Sequence, residues 1–220
     1  MLVVNKLSVT AETKEILKDV DFILEPGTKA LLTGPSGSGK STFLQALLFF
    51  KPGLSGNICF KDKPITPSNI NWYRSHFSYI GQKPPFFEGS VLQFLRYPFH
   101  FKANKHYSFK KENVIRIFDQ LSINHTLLHQ DYPSLSGGEQ QRVTIVQSLL
   151  LNKKYLFLDE VTSALDETNI RNVIDAVCND PELTVLTVSH NHQWRQKSDL
   201  IYLVQDKKVA LEEKMESCIE

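Results

Sequence analysis

The chain has 220 residues, 41% of them apolar, with 25 Lys+Arg against 24 Asp+Glu and a formal net charge of +1. That length allows a substantial core in one large domain or two small lobes, and so even a charge excludes a global field for nucleic acid or an anionic membrane surface. Cys59, Cys178 and Cys218 are far apart, with neither metal-ligand spacing nor a disulfide framework, which suits a reducing, cytoplasmic setting.

Met1–Lys6 alternates and turns polar too soon for a secretory leader. Leu2–Val9 and Val20–Leu24 alternate apolar and polar residues, and Lys29–Thr33 is a short apolar run closed by a glycine loop, so all three are predicted as strands. From Ser41 to Phe50, Phe43, Leu44, Leu47 and Leu48 fall at helical spacing until Pro52-Gly53 stops them. Between about Trp72 and Gln130 aromatic and basic residues crowd together, and Val114, Ile117, Phe118 and Leu121 mark an amphipathic helix, which predicts a helical insertion. The β-rich runs Tyr155–Leu158, Val185–Val188 and Ile201–Val204 alternate with helical patterns, as in a parallel sheet covered by helices. Apolar runs such as Ala46–Phe50 fall far below the ~18 consecutive apolar residues of a membrane-spanning helix, so any membrane served by this protein is crossed by another chain.

Strand, glycine loop and helix together frame Gly34-Pro35-Ser36-Gly37-Ser38-Gly39-Lys40-Ser41-Thr42, a P-loop pattern. Its glycines let backbone N–H groups curl around phosphate, and a helix N-terminus points at the anion. Lys40 is placed for the β and γ phosphates, and the Ser41 hydroxyl is a hard oxygen donor for Mg²⁺. A P-loop also needs a carboxylate at the end of a buried strand, and Tyr155–Glu160 supplies Asp159 for Mg²⁺ and Glu160 as general base for the attacking water. Capping of the following helix accounts for the position of the two acids but not for their pairing with a P-loop.

The octapeptide Leu135-Ser136-Gly137-Gly138-Glu139-Gln140-Gln141-Arg142 narrows the class, because two adjacent glycines open a helix whose amides can meet a second phosphate surface. Here the chain resembles the ATP-binding cassette (ABC) ATPases, and the likeness covers essentially the whole sequence. It implies that Ser136, Gly137 and Gly138 act in trans on the nucleotide held by a partner's P-loop. It further implies that Gln82 touches Mg²⁺ and its water, that His190 senses γ-phosphate beside Glu160, and that Ser163–Asp166 passes information between two sites. Taken singly, Ser136 and Asp166 also read as helix caps, Gln82 as a solvated loop residue and His190 as a core or capping histidine. Their joint order favours the functional reading.

The fold implied is α/β, a P-loop NTPase (RecA-like) with a mostly parallel sheet, an N-terminal antiparallel β portion and an inserted α-helical subdomain. It would form a single domain over 1–220, with its core at about 1–82 and 151–220 and the helical subdomain at about 83–150. The activity implied is ATP hydrolysis with ATP and Mg²⁺, in a homodimer that sandwiches nucleotide. The partner is a separate transmembrane permease subunit at the cytoplasmic face of the inner (plasma) membrane, and the arrangement from Gln82 to Val91 with Leu135–Asn172 is most like stand-alone subunits of iron-export systems. A soluble ABC ATPase of DNA repair or ribosomes, or a non-catalytic regulatory cassette, is the alternative. Lys102, Lys105, Lys110 and Lys111 interleave with aromatics, but no RNA-binding motif accompanies them, so no nucleic-acid partner is expected. One departure stands out: Val9–Thr13 lacks the aromatic residue that stacks on adenine in many members of the family.

Overall fold

The computed structural model describes residues 1–214, so Cys218 lies outside the described residues; Cys59 and Cys178 are free thiols. An antiparallel layer comes first. Strand β1 (Leu2–Ala11) pairs with β2 (Lys14–Leu24) and β4 (Leu54–Phe60), and the two-residue β5 (Lys63–Pro64) closes the edge. The predicted strand Val20–Leu24 is thus the second half of a longer one. Its first half is held by pairing with β1, as in Thr10 opposite Glu15, and by Leu17, which is fully buried in the core.

The second sheet runs β10-β9-β3-β8-β7-β6, built from β3 (Lys29–Thr33), β6 (Phe77–Ile80), β7 (Tyr155–Asp159), β8 (Thr184–Val188), β9 (Leu200–Gln205) and β10 (Lys208–Lys214). All but β10 are parallel, and β3, β7 and β8 are buried almost throughout, as strands covered on both faces must be. Strand β6 lies inside the aromatic, basic stretch that begins at about Trp72, on the core side of the boundary at 82. Its pairing with β7 overrides the aromatic and basic composition around it, and the helical part starts only beyond it. From there to β7 every regular element is helical: α3 (Val91–Arg96), α4 (Lys111–Gln120), α5 (Gly137–Leu150) and short 3₁₀ turns.

Alternation along these strands separates two cores. Ala30, Leu32, Phe77, Tyr155, Phe157, Leu186 and Val188 face the antiparallel layer and α1 (Lys40–Leu47). Leu31, Ile80, Leu156, Leu158 and Val185 face the helical insert together with α6 (Glu167–Cys178) and α7 (His192–Lys197). Helix α1 stops at Leu47, before the Pro52-Gly53 brake. Phe49 takes a left-handed φ of 56°, and the carbonyls released at the helix end are claimed by α2 (Ile70–Ser75). Tyr73 Oη donates to Leu47 O at 2.7 Å, and Arg74 donates to Leu48 O and Phe49 O.

Lys29, at the start of β3, is 6% exposed and stays charged-compatible because its Nζ donates to the carbonyls of Gly27, Asp180 and Leu183. Among the described residues no helix is long and apolar enough to cross a membrane.

Candidate active site at the carboxyl ends of the parallel strands

In open α/β sheets, ligands sit beyond the carboxyl ends of the strands. The loop 34–39 leaves the end of β3 there and leads into α1. All three of its glycines, Gly34, Gly37 and Gly39, take a left-handed backbone. A Cβ on Gly34 (φ 137°) would stand 2.2 Å from Val204 O, whereas at Gly37 (φ 77°) it would meet nothing, so this turn is an open cradle of backbone. Pro35 and Ser36 form the exposed crest, and Thr42 lies in the first turn of α1.

Inside the cradle, Lys40 is 5% exposed and its Nζ donates to Gly34 O and Pro35 O. Burial pushes its ammonium below the ordinary range, while the carboxylates of Glu160 and Asp159 pull it back. The Ser38 Oγ is buried without a partner. A starved cation, an orphaned hydroxyl and open backbone amides fit a bound polyphosphate.

The parity of β7 aims Asp159 at α1, because Tyr155 and Phe157 already face that side. Ser41 Oγ donates to Asp159 Oδ1 at 2.7 Å. On the neighbouring strand, Tyr79 Oη donates to Asp159 Oδ2 at 3.3 Å and accepts from Gln45 Nε2 at 3.1 Å. Burial raises the Tyr79 phenol, so it remains a protonated donor. The hydroxyl of Ser41 and the carboxylate of Asp159 form an oxygen donor pair suited to Mg²⁺.

Glu160 follows directly and adopts φ 52°, a left-handed backbone that costs a non-glycine residue of order 1 kcal/mol and is held here by Glu160 N donating to Val188 O at 3.0 Å. The twist turns the side chain away from the strand's alternation. Gln82 Nε2 donates to Glu160 Oε2 at 2.9 Å, and His190 Nε2 stands 3.9 Å from Glu160 Oε1. The fold therefore gathers 34–42, Gln82, Asp159, Glu160 and His190 from the ends of β3, β6, β7 and β8.

Ser136, Gly137, Gly138 and Asp166 are placed otherwise. Among the described residues no hydrogen bond or ion pair joins them to that group. Ser136 and Glu139 form a capping box at the start of α5, with Ser136 Oγ donating to Glu139 Oε2 at 2.7 Å. A Cβ on Gly138 would touch Ala164 O and Leu165, whereas Gly137 faces open space. Asp166 caps α6 by accepting from Asn169 N at 2.9 Å, and that bond holds its carboxyl below the usual range.

Beside the loop, where an adenine-stacking aromatic was sought, β1 ends and Ile16 of β2 packs on Gly39, its Cγ2 3.0 Å from where a Cβ would stand. Ile16, Tyr79 and Gln45 escaped the sequence reading. The β-strand alternation of 77–80 was the signal for Tyr79; nothing comparable marked Gln45.

This fold and this gathering of loop, carboxylates, glutamine and histidine define a nucleotide-hydrolysing cassette, and the ABC transporter family matches residues 17–163. The chain belongs to that family and is an ATPase cassette of it. It is 29% identical over 208 residues to an Escherichia coli protein named "Probable iron export ATP-binding protein FetA", covering 93% of this chain and 91% of that one. It is 32% identical over 208 residues to the mitochondrial ATP-dependent permease MDL1 of Schizosaccharomyces pombe, covering 91% of this chain. It spans only 28% of that permease's length and 15% of the multidrug transporter atrD of Emericella nidulans. Among solved structures, the dimeric ATP-binding cassette MJ0796 bound to ADP and Pi superposes with a TM-score of 0.85 at 21% identity, covering 97% of this chain and 98% of that one.

Proposed function

We propose that two copies of the chain close on two Mg-ATP molecules. Each site would combine loop 34–42, Gln82, Asp159, Glu160 and His190 of one copy with Ser136, Gly137 and Gly138 of the other, while Asp166 lies on the loop between the sites. The observation that carries this reading is the contact pair at the strand ends, Ser41 with Asp159 and Gln82 with Glu160. Lys40 then meets the β and γ phosphates, an anionic partner in place of the two backbone carbonyls it donates to. Ser41, Asp159 and Gln82 are the residues that would hold Mg²⁺, which when bound neutralises charge on the phosphate oxygens.

Glu160 accepts the proton of a water whose oxygen attacks the γ phosphorus as the bond to the bridging oxygen breaks and ADP departs with that oxygen. Its left-handed backbone and the Gln82 amide fix the carboxylate before substrate arrives, which is electrostatic preorganisation. His190 stands on the other oxygen of the same carboxylate, where it orients the base and meets the γ phosphate.

The division into a core of 1–82 and 151–220 with a helical subdomain of 83–150 is supported by the all-helical elements after β6. We place the chain peripherally at the cytoplasmic face of the inner membrane, driving a separate permease subunit and binding no nucleic acid. Near-complete coverage of the FetA protein supports a stand-alone subunit and favours iron export as the transport task. Phe86, Tyr97 and Phe101, at 83%, 51% and 49% exposure, support an apolar dock for that subunit just beyond Gln82. The test is the solution mass of Glu160→Gln with and without Mg-ATP. A mass that doubles only with nucleotide is expected; a monomer with ATP demonstrably bound overturns the composite site.

A further inference from the structure

A second cleft, of about 520 Å³, opens at the amino ends of β6 and β7, the opposite end of the sheet from Gln82 and Asp159. It lies between α4 and α6 with the sheet as its floor, a volume in the range of small-molecule sites. Its hydrogen-bonding groups are unbalanced. Ser78, on β6, is 7% exposed, lines the cleft and has no partner for its buried Oγ. Lys153, at the approach to β7, has three donors and makes one hydrogen bond, to Phe77 O at 3.0 Å. Burial holds its ammonium below the ordinary range, and among the described residues no carboxylate pairs with it. Arg116, exposed on α4, makes one hydrogen bond among the described residues, to Gln120 Oε1 of its own helix at the 3.5 Å limit.

Each acidic group of the cleft already holds one partner through Oδ1. Asp175 Oδ1 pairs with Lys197 at 3.3 Å, and Asp180 Oδ1 accepts from Glu182 N at 2.9 Å. Three elements therefore contribute donors short of acceptors to one cavity, two of them cationic. An uncharged ligand would leave the Lys153 ammonium without an ionic partner. A compact group with several anionic oxygens satisfies all three.

We propose that this cleft binds a small oxyanion, a carboxylate or a phosphate monoester, held by Lys153, Arg116 and Ser78. Such a ligand ties α4, in the helical insert, to the floor of the sheet. It touches none of the residues assigned to hydrolysis, so the proposal stands apart from the reading above.

The test is calorimetric titration of the full chain in saturating Mg-ADP, with glycerol 3-phosphate in one arm and succinate in the other, each also run on the Lys40→Ala variant. Saturable binding of either probe at about 1 mM or tighter, retained in Lys40→Ala, is expected, and the arm that binds names the source of the oxyanion. Lys153→Met should weaken it about tenfold and Ser78→Ala about threefold. Arg116 is exposed on α4, so Arg116→Gln keeps the test valid should the Lys153 variant not fold; it should weaken binding about fivefold. ATP turnover without probe stays at the wild-type rate in Arg116→Gln. Absence of saturable binding in both arms, binding lost in Lys40→Ala, or binding indifferent to Arg116→Gln and Ser78→Ala overturns the proposal.

Discussion

At the carboxyl ends of β3, β6 and β7, the side chains assigned to chemistry bond across to different elements, whereas at the starts of α5 and α6 their counterparts bond, among the described residues, within their own helices. Ser41 reaches Asp159, Tyr79 spans Gln45 and Asp159, and Gln82 holds Glu160. Ser136 turns to Glu139, and Asp166 to Asn169. The first region is organised by tertiary pairing, so its geometry is complete within one chain. The second is organised by local capping, which shapes a helix end and leaves Gly137 facing open space. A surface meant for another molecule has to be built this way, because its outward groups cannot already be committed.

The strongest way to break this contrast is Glu160→Gln, which should lower ATP turnover at least ~100-fold while nucleotide stays bound, as measured by phosphate release. Turnover within about tenfold of wild type would remove Glu160 from the role of base. Next, Lys40→Ala should reduce ATP affinity about 10- to 100-fold in a fluorescent-nucleotide assay, since it deletes charge-assisted hydrogen bonds of ~1.5–3 kcal/mol. The two regions are separated most directly by Ser136. Ser136→Ala should cost about 1 kcal/mol in chemical unfolding through the lost cap, whereas Ser136→Asn retains the cap and its stability. Both should nevertheless reduce turnover about tenfold, because neither offers a hydroxyl to the partner's nucleotide; full activity in Ser136→Asn would reduce Ser136 to a cap. The smallest effect is expected from Tyr79→Phe. Loss of one hydrogen bond to Asp159, ~1 kcal/mol, should raise the Mg²⁺ concentration for half-maximal nucleotide binding about fivefold, and an unchanged Mg²⁺ dependence would show that Ser41 alone fixes that carboxylate.

Much of the strand-end region was legible because its signals are short and local. A strand–loop–helix frame identified 34–42, and a buried apolar run ending in two acids identified Asp159 and Glu160. The contacts that join them were not legible, because they depend on strand order. Only the placement of β6 beside β7 brings Tyr79 and Gln82 to the two acids, and the pattern of β6 itself is masked by the aromatic, basic residues around it. Likewise α1 was read too long: its stop is set by Tyr73 and Arg74 from a distant helix, not by the downstream Pro52-Gly53. Of the aromatics beyond Gln82, Phe94 is buried and Phe86 exposed, a distinction that composition alone does not carry.

The parity of β7 also governs which mutations the gene can accept. Tyr155, Phe157 and Asp159 share one face only because the strand advances in steps of two, so removing or adding a single codon anywhere in 155–159 would send the Asp159 carboxylate to the helical side of the sheet and bring Leu158 toward Ser41. Across descendants of this sequence, that pentapeptide should vary freely in the identity of its apolar residues and not at all in length.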